Sequence, residues 1–461
     1  MQQFIPLSEM KSASRDPSTA ICYKGIWSDK DYMTWGDFLE GTAVLRKQIE
    51  SVKSDKWLLH SEDCWFFLLA FAALLQCKKE VMLTANISPA YLAEIKGDTP
   101  FITDKVFPQD MGNTFHIPAL LSQKSGSSDV LPSINSDEAY FNFYTSGTTG
   151  KPKKIQQRLK EFEVDNVNIL NEWGNELFYP RKICSTVSQH HIYGFLFSVL
   201  LPFTAGIPFR RNIINVPEEL EKFSDTEYFI VTVPAYLKRA VELETPLTLQ
   251  LKSPCILASG GFLFPDVAQK VFEVFGVWPW EMYGSTETSG VAWRRQNEGP
   301  MWTPFPNAKL WVNEDSCLVV QSDYIKNETG IFETADLVKM LPNGKFILIG
   351  RMDTIVKIEE KRISLPEVEN RIMESGFASD ACVIALEEGR QFLAAAIVFN
   401  AQGKEKFAGL EKNDINKFWR EHLLNYFENL VVPKRWRYVN EIPMDSQGKK
   451  KRDEITQLFV E

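Results

Sequence analysis

Short β-rich runs alternate with helical or Pro/Gly-rich segments from residue 31 to about residue 300, and this rhythm constrains the fold more than any other feature of the chain. TWGDFLEGTAVLRKQI carries apolar residues at helical spacing, KWLLH is a short apolar strand, and SEDCWFFLLAFAALL reads as a buried helix with its cap expected at Ser61. EVMLTA, PFITD, AYFNFYT, KICSTV, YFIVTV, CILAS and WPWEMYG continue the series as strands. Beyond Pro300 the strands crowd together (AKLWVNE, SCLVVQS, IFETADLVKM, GKFILIG), with Asn343-Gly344 as a hairpin signal, so a β-rich subdomain is expected there. After Arg351, a helix from near Leu365, strands at ACVIAL and FLAAAIVF, and a helix from Asn413 to Phe427 describe a small mobile α+β domain. The expected class is α/β, with a large N-terminal domain over residues 1–351 and a small C-terminal lid over residues 352–461.

A length of 461 residues, 44% hydrophobic and 24% charged, is enough for two or three cores. The net charge of −9 gives no reason to expect a nucleic-acid partner. Seven scattered cysteines without a CxxC pair suit reduced thiols in the cytoplasm and suggest no zinc site. The start, MQQFIPLSEMKSAS, lacks the order of a signal peptide, and the longest apolar run, Cys64 to Leu75, is too short to span a bilayer, so no integral membrane segment is expected.

FYTSGTTGKPKK, from Phe143 to Lys154, combines glycines with hydroxyl side chains and closes on lysines. Backbone N–H groups of such a turn converge on an anion, and the hydroxyls add donors without bulk, which suits phosphate. A Walker A loop is excluded by spacing: two residues separate Gly147 from Gly150 where that motif has four, and Pro152 follows Lys151.

TSGTTGKPK resembles the phosphate-loop signature of the adenylate-forming superfamily, which includes acyl-CoA and acyl-ACP synthetases, luciferases and peptide-synthetase adenylation domains. Further motifs follow in the family's order. YGSTE (Tyr283, Gly284, Ser285, Thr286, Glu287) is similar to the segment that lines the adenylate pocket and holds magnesium through its glutamate. FETADL resembles Y-x-T-G-D-L, which implies a ribose-binding role for Asp336, a carboxylate being the right acceptor for two vicinal hydroxyls. GRMDTIVKIEEKRISLPEVE is similar to the interdomain signature, implying that Arg351 also reaches the ribose and that Asp353 is the hinge. PMDSQGKKKR resembles P-x-T-x-x-G-K-x-x-R and aligns Lys449 with the catalytic lysine. SQHHIYGF brings His191 to the acid pocket, and ASGGF resembles the turn at which Gly260 and Gly261 meet adenine and Phe262 meets the acyl group. The resemblance covers roughly residues 30 to 455.

The resemblance implies ATP-dependent activation of an aromatic or short- to medium-chain carboxylic acid to an acyl-adenylate. Transfer to the thiol of CoA or of a carrier-protein phosphopantetheine would follow. Thr145, Ser146, Gly147, Thr148, Thr149, Gly150 and Lys151 would hold the phosphates, with Thr148, Lys449 and Glu287-bound Mg²⁺ acting at the reacting groups. Preplaced cations are needed because three anionic groups meet in a low-dielectric cleft. No general base is required, since the acid is already ionised near neutral pH.

Each of these residues has an ordinary alternative: Glu287 as a solvated loop acid, Asp336 as a turn cap, His190 and His191 as packing histidines, and Lys449 to Arg452 as a solvated basic run. Glu360 replaces the hinge signature's glycine, Ala335 the glycine before Asp336, and Lys154 the glycine after Pro-Lys, while Phe262 enlarges the acyl-pocket turn. These departures keep open a catalytically impaired nucleotide sensor or scaffold of the same fold. Basic residues near the end (Lys434, Arg435, Arg437 and the run from Lys449) suit an acidic carrier protein or the phosphates of CoA. A chain without an attached carrier domain speaks against a multimodular peptide synthetase.

Overall fold

The computed structural model describes residues 4–25, 31–107, 111–123, 131–146, 152–178, 181–223, 227–243, 245–249, 254–358, 361–444 and 450–460. They group into two compact units, Met1–Lys309 with Val320–Phe332, and Leu310–Val319 with Glu333–Glu461. The architecture is α/β in the first unit and α+β in the second, and Asp336, Arg351 and Asp353 all belong to the second. Among the described residues no helix is long and apolar enough to cross a membrane.

Two sheets build the first unit. In one, the strands lie in the order Thr114–His116, Phe101–Thr103, Lys56–His60, Glu80–Thr84 and Tyr140–Ser146, all parallel, with Pro152–Arg158 antiparallel at the edge. The other orders Ala20–Tyr23, Phe209–Arg210, Lys182–Ser185, Tyr228–Thr232, Cys255–Ala258 and Trp280–Ser285 in parallel, continued by antiparallel Ser289–Arg295 and Met301–Pro304. Parallel strands are covered on both faces, which is why Trp57, Leu58 and Leu59 are all fully buried in a run with no polar alternation. From Lys182–Ser185 the chain moves to the neighbour on one side and returns on the other at Tyr228–Thr232. The carboxyl ends of these two strands therefore flank a topological switch point, where open α/β sheets bind ligands.

The helix Cys64–Gln76 is buried nearly all round. Its cap corrects the expectation at Ser61: the Asp63 carboxylate accepts from Trp65 N (2.9 Å) and Phe66 N (3.4 Å) and pairs with Arg211, while the Ser61 hydroxyl meets Asp104 at 2.9 Å. Asp63 stands directly before the first helical residue, so only its side chain reaches the unpaired N–H groups of the first turn. Phe195, on a π-helical segment (Phe195–Leu200), packs on Phe71 (5.0 Å between ring centroids), Phe141 (5.3 Å), Phe162 (5.4 Å) and Phe143 (5.9 Å). Phe141 and Phe143 alternate along Tyr140–Ser146, so this aromatic cluster anchors the strand that leads into the glycine-rich segment.

In the second unit, Ile331–Met340 and Phe346–Arg351 form an antiparallel hairpin whose turn carries Gly344 at φ +80°. Ile355–Ile358 and Lys361–Ser364 form another. Ala378–Glu388 pairs antiparallel with Arg390–Phe399, which pairs parallel with Arg435–Tyr438, and the helices Leu365–Met373 and Lys412–Leu424 bury Val368, Ile372 and Trp419 in the core.

Candidate active site

Tyr140–Ser146 and Pro152–Arg158 form an antiparallel hairpin that carries the glycine-rich loop at its tip. Gly147, Thr148, Thr149, Gly150 and Lys151 lie outside the described residues, as do the side chains of Thr145 and Ser146; the two strands fix where the loop begins and ends. On the returning strand, successive side chains leave by opposite faces. Lys154 pairs with Glu80 at 2.9 Å, and Lys153 pairs with Glu287.

Glu287 sits on the turn between Trp280–Ser285 and Ser289–Arg295. The turn is closed by reciprocal bonds: Ser285 Oγ accepts from Glu287 N (3.2 Å) and Thr288 N (3.3 Å), and Thr288 Oγ1 accepts from Ser285 N (3.1 Å). Gln157 Nε2, from the strand Pro152–Arg158, donates to Thr286 O at 3.0 Å. Gly284 admits no side chain because a Cβ would collide with the Ser289 carbonyl. Burial pushes the Glu287 carboxyl up, but the hydrogen bond and charge of Lys153, with donors from the turn, hold it below the usual range. It is therefore ionised at neutral pH. Among the described residues no group of three or more His, Cys, Asp or Glu side chains is arranged to hold a metal. A single ionised carboxylate fits Mg²⁺ when phosphates and water complete its shell.

Around the strand ends, Gly260 adopts φ +85° and Gly261 follows it. The next residue, Phe262, is 50% exposed and meets Phe264 edge-on at 5.1 Å. Tyr283 stands against Trp302 at 5.7 Å. Arg294 lies 4.5 Å from the Trp302 ring and forms a two-point ion pair with Glu281, each bond 2.9 Å, so its charge is committed. His191 precedes the short helix Ile192–Gly194, and Gly194 is required because a Cβ there would collide with the Ser188 carbonyl. Its neighbour His190 is the packing histidine: it is buried, stacks on His60 at 4.2 Å and accepts from Ser61 N at 3.1 Å.

In the second unit Asp336 and Arg351 face each other across the hairpin, with Arg351 Nη1 3.1 Å from Asp336 Oδ1. Thr334 Oγ1 accepts from Asp336 N at 3.0 Å. The side chains of Asp353 and Glu360 and all of Lys449 lie outside the described residues. Of the basic residues that follow Lys449, Lys450 pairs with Glu369 (3.0 Å) and Asp380 (3.3 Å), Lys451 with Glu454 (2.8 Å), and Arg452 with Glu369 (3.2 Å). Arg435 is paired with Glu388, and Arg437 donates to Leu458 O at 2.9 Å. Lys153 was missed in the sequence, although its place on a strand one residue before Lys154 gives it the opposite face.

The family model described as AMP-binding enzyme matches residues 52–323. Malpinin synthetase of Mortierella alpina is 25% identical over 380 residues, covering 71% of this chain and 5% of that protein. Bacitracin synthase 3 of Bacillus licheniformis is 24% identical over 411 residues, covering 78% and 6%. The 4-coumarate–CoA ligase of Cereibacter sphaeroides is 24% identical over 318 residues, covering 68% and 70%. The chain thus spans a small part of the two synthetases and about two thirds of the ligase. Among solved structures, O-succinylbenzoate coenzyme A synthetase (MenE) from Bacillus subtilis with ATP and magnesium ion superposes with a TM-score of 0.79 at 15% identity, covering 96% of this chain and 98% of that one. ATP-bound MatB from Rhodopseudomonas palustris gives 0.79 at 14% identity, covering 96% and 97%. At these identities the likeness concerns the fold.

Proposed function

Because the chain belongs to the AMP-binding enzyme family of adenylate-forming proteins, we propose that it joins a carboxylic acid to AMP and passes the acyl group to a phosphopantetheine thiol. In the first step a carboxylate oxygen of the acid attacks the α-phosphorus of ATP, the bond to the β-phosphate breaks, and pyrophosphate leaves. In the second, the thiol sulfur attacks the acyl carbonyl carbon, AMP leaves, and the thiol proton passes to solvent. The acceptor is free CoA or a carrier protein bearing the same arm.

The observation that carries this reading is the join between the phosphate-loop hairpin and the Glu287 turn, made by Lys153 to Glu287 and by Gln157 to Thr286. It brings an ionised carboxylate to the strand that delivers the phosphate loop. Bound Mg²⁺ would supply charge neutralisation for the polyphosphate. Glu287 would hold it, residues 145–151 would orient the β- and γ-phosphates, and Asp336 with Arg351 would receive the ribose. Lys449 would stabilise charge at the α-phosphorus, and rotation at Asp353 would exchange the two half-reactions. His191, Tyr283, Gly260, Gly261 and Phe262 would enclose the acid and adenine.

ATP–pyrophosphate exchange with a panel of carboxylic acids tests the first step, and absence of exchange with every acid in the presence of Mg²⁺ refutes it. Lys449→Ala is expected to lower exchange by roughly 10²–10³-fold while ATP still binds. Product analysis with CoA and with a holo carrier protein distinguishes the acceptors.

A further inference from the structure

Behind the Glu287 turn lies a carboxylate that the proposed chemistry does not use. Asp165, on the helix Leu159–Phe178 that follows the phosphate-loop hairpin, is only 2% exposed. Its Oδ2 accepts from Ser289 Oγ at 3.0 Å and its Oδ1 accepts from Asn307 Nδ2 at 3.2 Å, while the nearby Tyr324 hydroxyl donates to the Glu161 carbonyl. Both donors to Asp165 are neutral, so the charge is buried without the cation that normally offsets it. Ser289 is itself unusual: it holds φ +55°, a conformation that favours glycine, and its carbonyl crowds Gly284 from across the turn. Relaxing Ser289 to an ordinary φ would swing the Thr288–Ser289 peptide and with it the backbone that carries Glu287.

We propose that Asp165 is a positioning residue for the adenylation step, holding the Glu287 turn in its metal-binding shape through the hydroxyl of Ser289. The inference rests on the function proposed above. Each carboxylate oxygen serves one donor, Ser289 at Oδ2 and Asn307 at Oδ1, and a proton added at Oδ2 would compete with the Ser289 bond. Burial pushes the Asp165 carboxyl up to about 6 against those donors, whereas Glu287 stays below its usual range. Acidification toward pH 6 therefore protonates Asp165 before Glu287. Tyr324 is pushed up by burial and stays neutral there. On the same helix, Glu161 is paired with Arg158 and Lys326 and Glu163 with Ser8, and on the strand of Ser289, Arg294 and Arg295 pair with Glu281 and Glu298.

The test is calorimetric titration of the whole protein with ATP, with Mg²⁺ and with EDTA, at about pH 7.5 and about pH 5.5. Asp165→Asn is expected to retain metal-free ATP binding and to lose roughly 10–100-fold of the affinity that Mg²⁺ adds. Adding Ser289→Gly to Asp165→Asn is expected to restore most of that loss, because glycine holds a positive φ without an anchor. In the wild type the Mg²⁺ gain falls more steeply at the lower pH than in Asp165→Asn, protonation of the ATP γ-phosphate being common to both. An unchanged Mg²⁺ gain in folded Asp165→Asn, or failure of glycine to restore it, overturns the inference. If Asp165→Asn does not fold, Ser289→Ala removes the same contact and leaves Asp165 its bond from Asn307; an unchanged gain in that variant is equally fatal. A wild type with no Mg²⁺ gain at all refutes the functional reading instead.

Discussion

Asp165 in the first unit and Glu369 in the second are both buried helix carboxylates, 2% and 8% exposed, yet their surroundings differ in kind. Glu369 Oε1 receives Val383 N at 2.9 Å and Arg452 at 3.2 Å, and Lys450 reaches Oε2 at 3.0 Å. Burial opposes the charge of Lys450, but Glu369 and then Asp380 raise its pKa, so it stays charged. Here opposite charges compensate each other and fasten the C-terminal segment to the sheet Ala378–Glu388. Asp165 has neutral donors alone, and its burial is left largely unbalanced. A charge that fastens is surrounded by cations; a charge kept without them points to what it holds in place.

The largest test of this contrast is Glu369→Ala. It leaves Lys450 and Arg452 partly buried without their shared carboxylate and is expected to destabilise the second unit by about 3–5 kcal/mol. Hydrogen exchange in Ala378–Glu388 measures it, and acceleration of less than roughly tenfold would show that the cations do not depend on Glu369. Asp165 should behave in the opposite sense. Its pKa rises from 3.8 unfolded to about 6 folded, so folding takes up a proton between those values. The stability it contributes is fully present below about pH 4 and is lost as pH rises through about 6, up to about 3 kcal/mol in all. Wild type should therefore gain stability over Asp165→Asn as pH falls from 7 to 4, while near pH 7.5 the two should agree within about 1 kcal/mol. A difference that stays flat with pH would remove the contrast.

The strand runs of the first unit and the hairpin at Asn343-Gly344 were legible because each depends on local pattern. Asp165 was not. In LKEFEVDNVN it is one of several acids on an amphipathic helix, and its burial depends on partners 124 and 142 residues away in sequence. The cap of Cys64–Gln76 was misread for a smaller reason: Ser61 and Asp63 are both capping residues, and which of them reaches the first N–H groups depends on where the helix begins. Lys153 needed only the two-residue period of a strand, but its partner Glu287 is 134 residues distant.

The smallest predicted effects separate two lysines that sequence alone makes equivalent. Lys450 points inward, to Glu369 and Asp380, whereas Lys451 is 45% exposed and pairs with an exposed Glu454 three residues on. Lys450→Met keeps the stem that fills the space and leaves Glu369 with Arg452 and the Val383 N–H, so the expected loss is about 1–2 kcal/mol. Lys451→Met removes a screened surface pair and should change stability by less than about 0.5 kcal/mol. Thermal unfolding of the two variants in parallel measures both values. Equal effects would mean that Lys450 and Lys451 belong to one solvated tail; an ordered difference would show that Lys450 is fastened by its buried carboxylate partners while Lys451 is not.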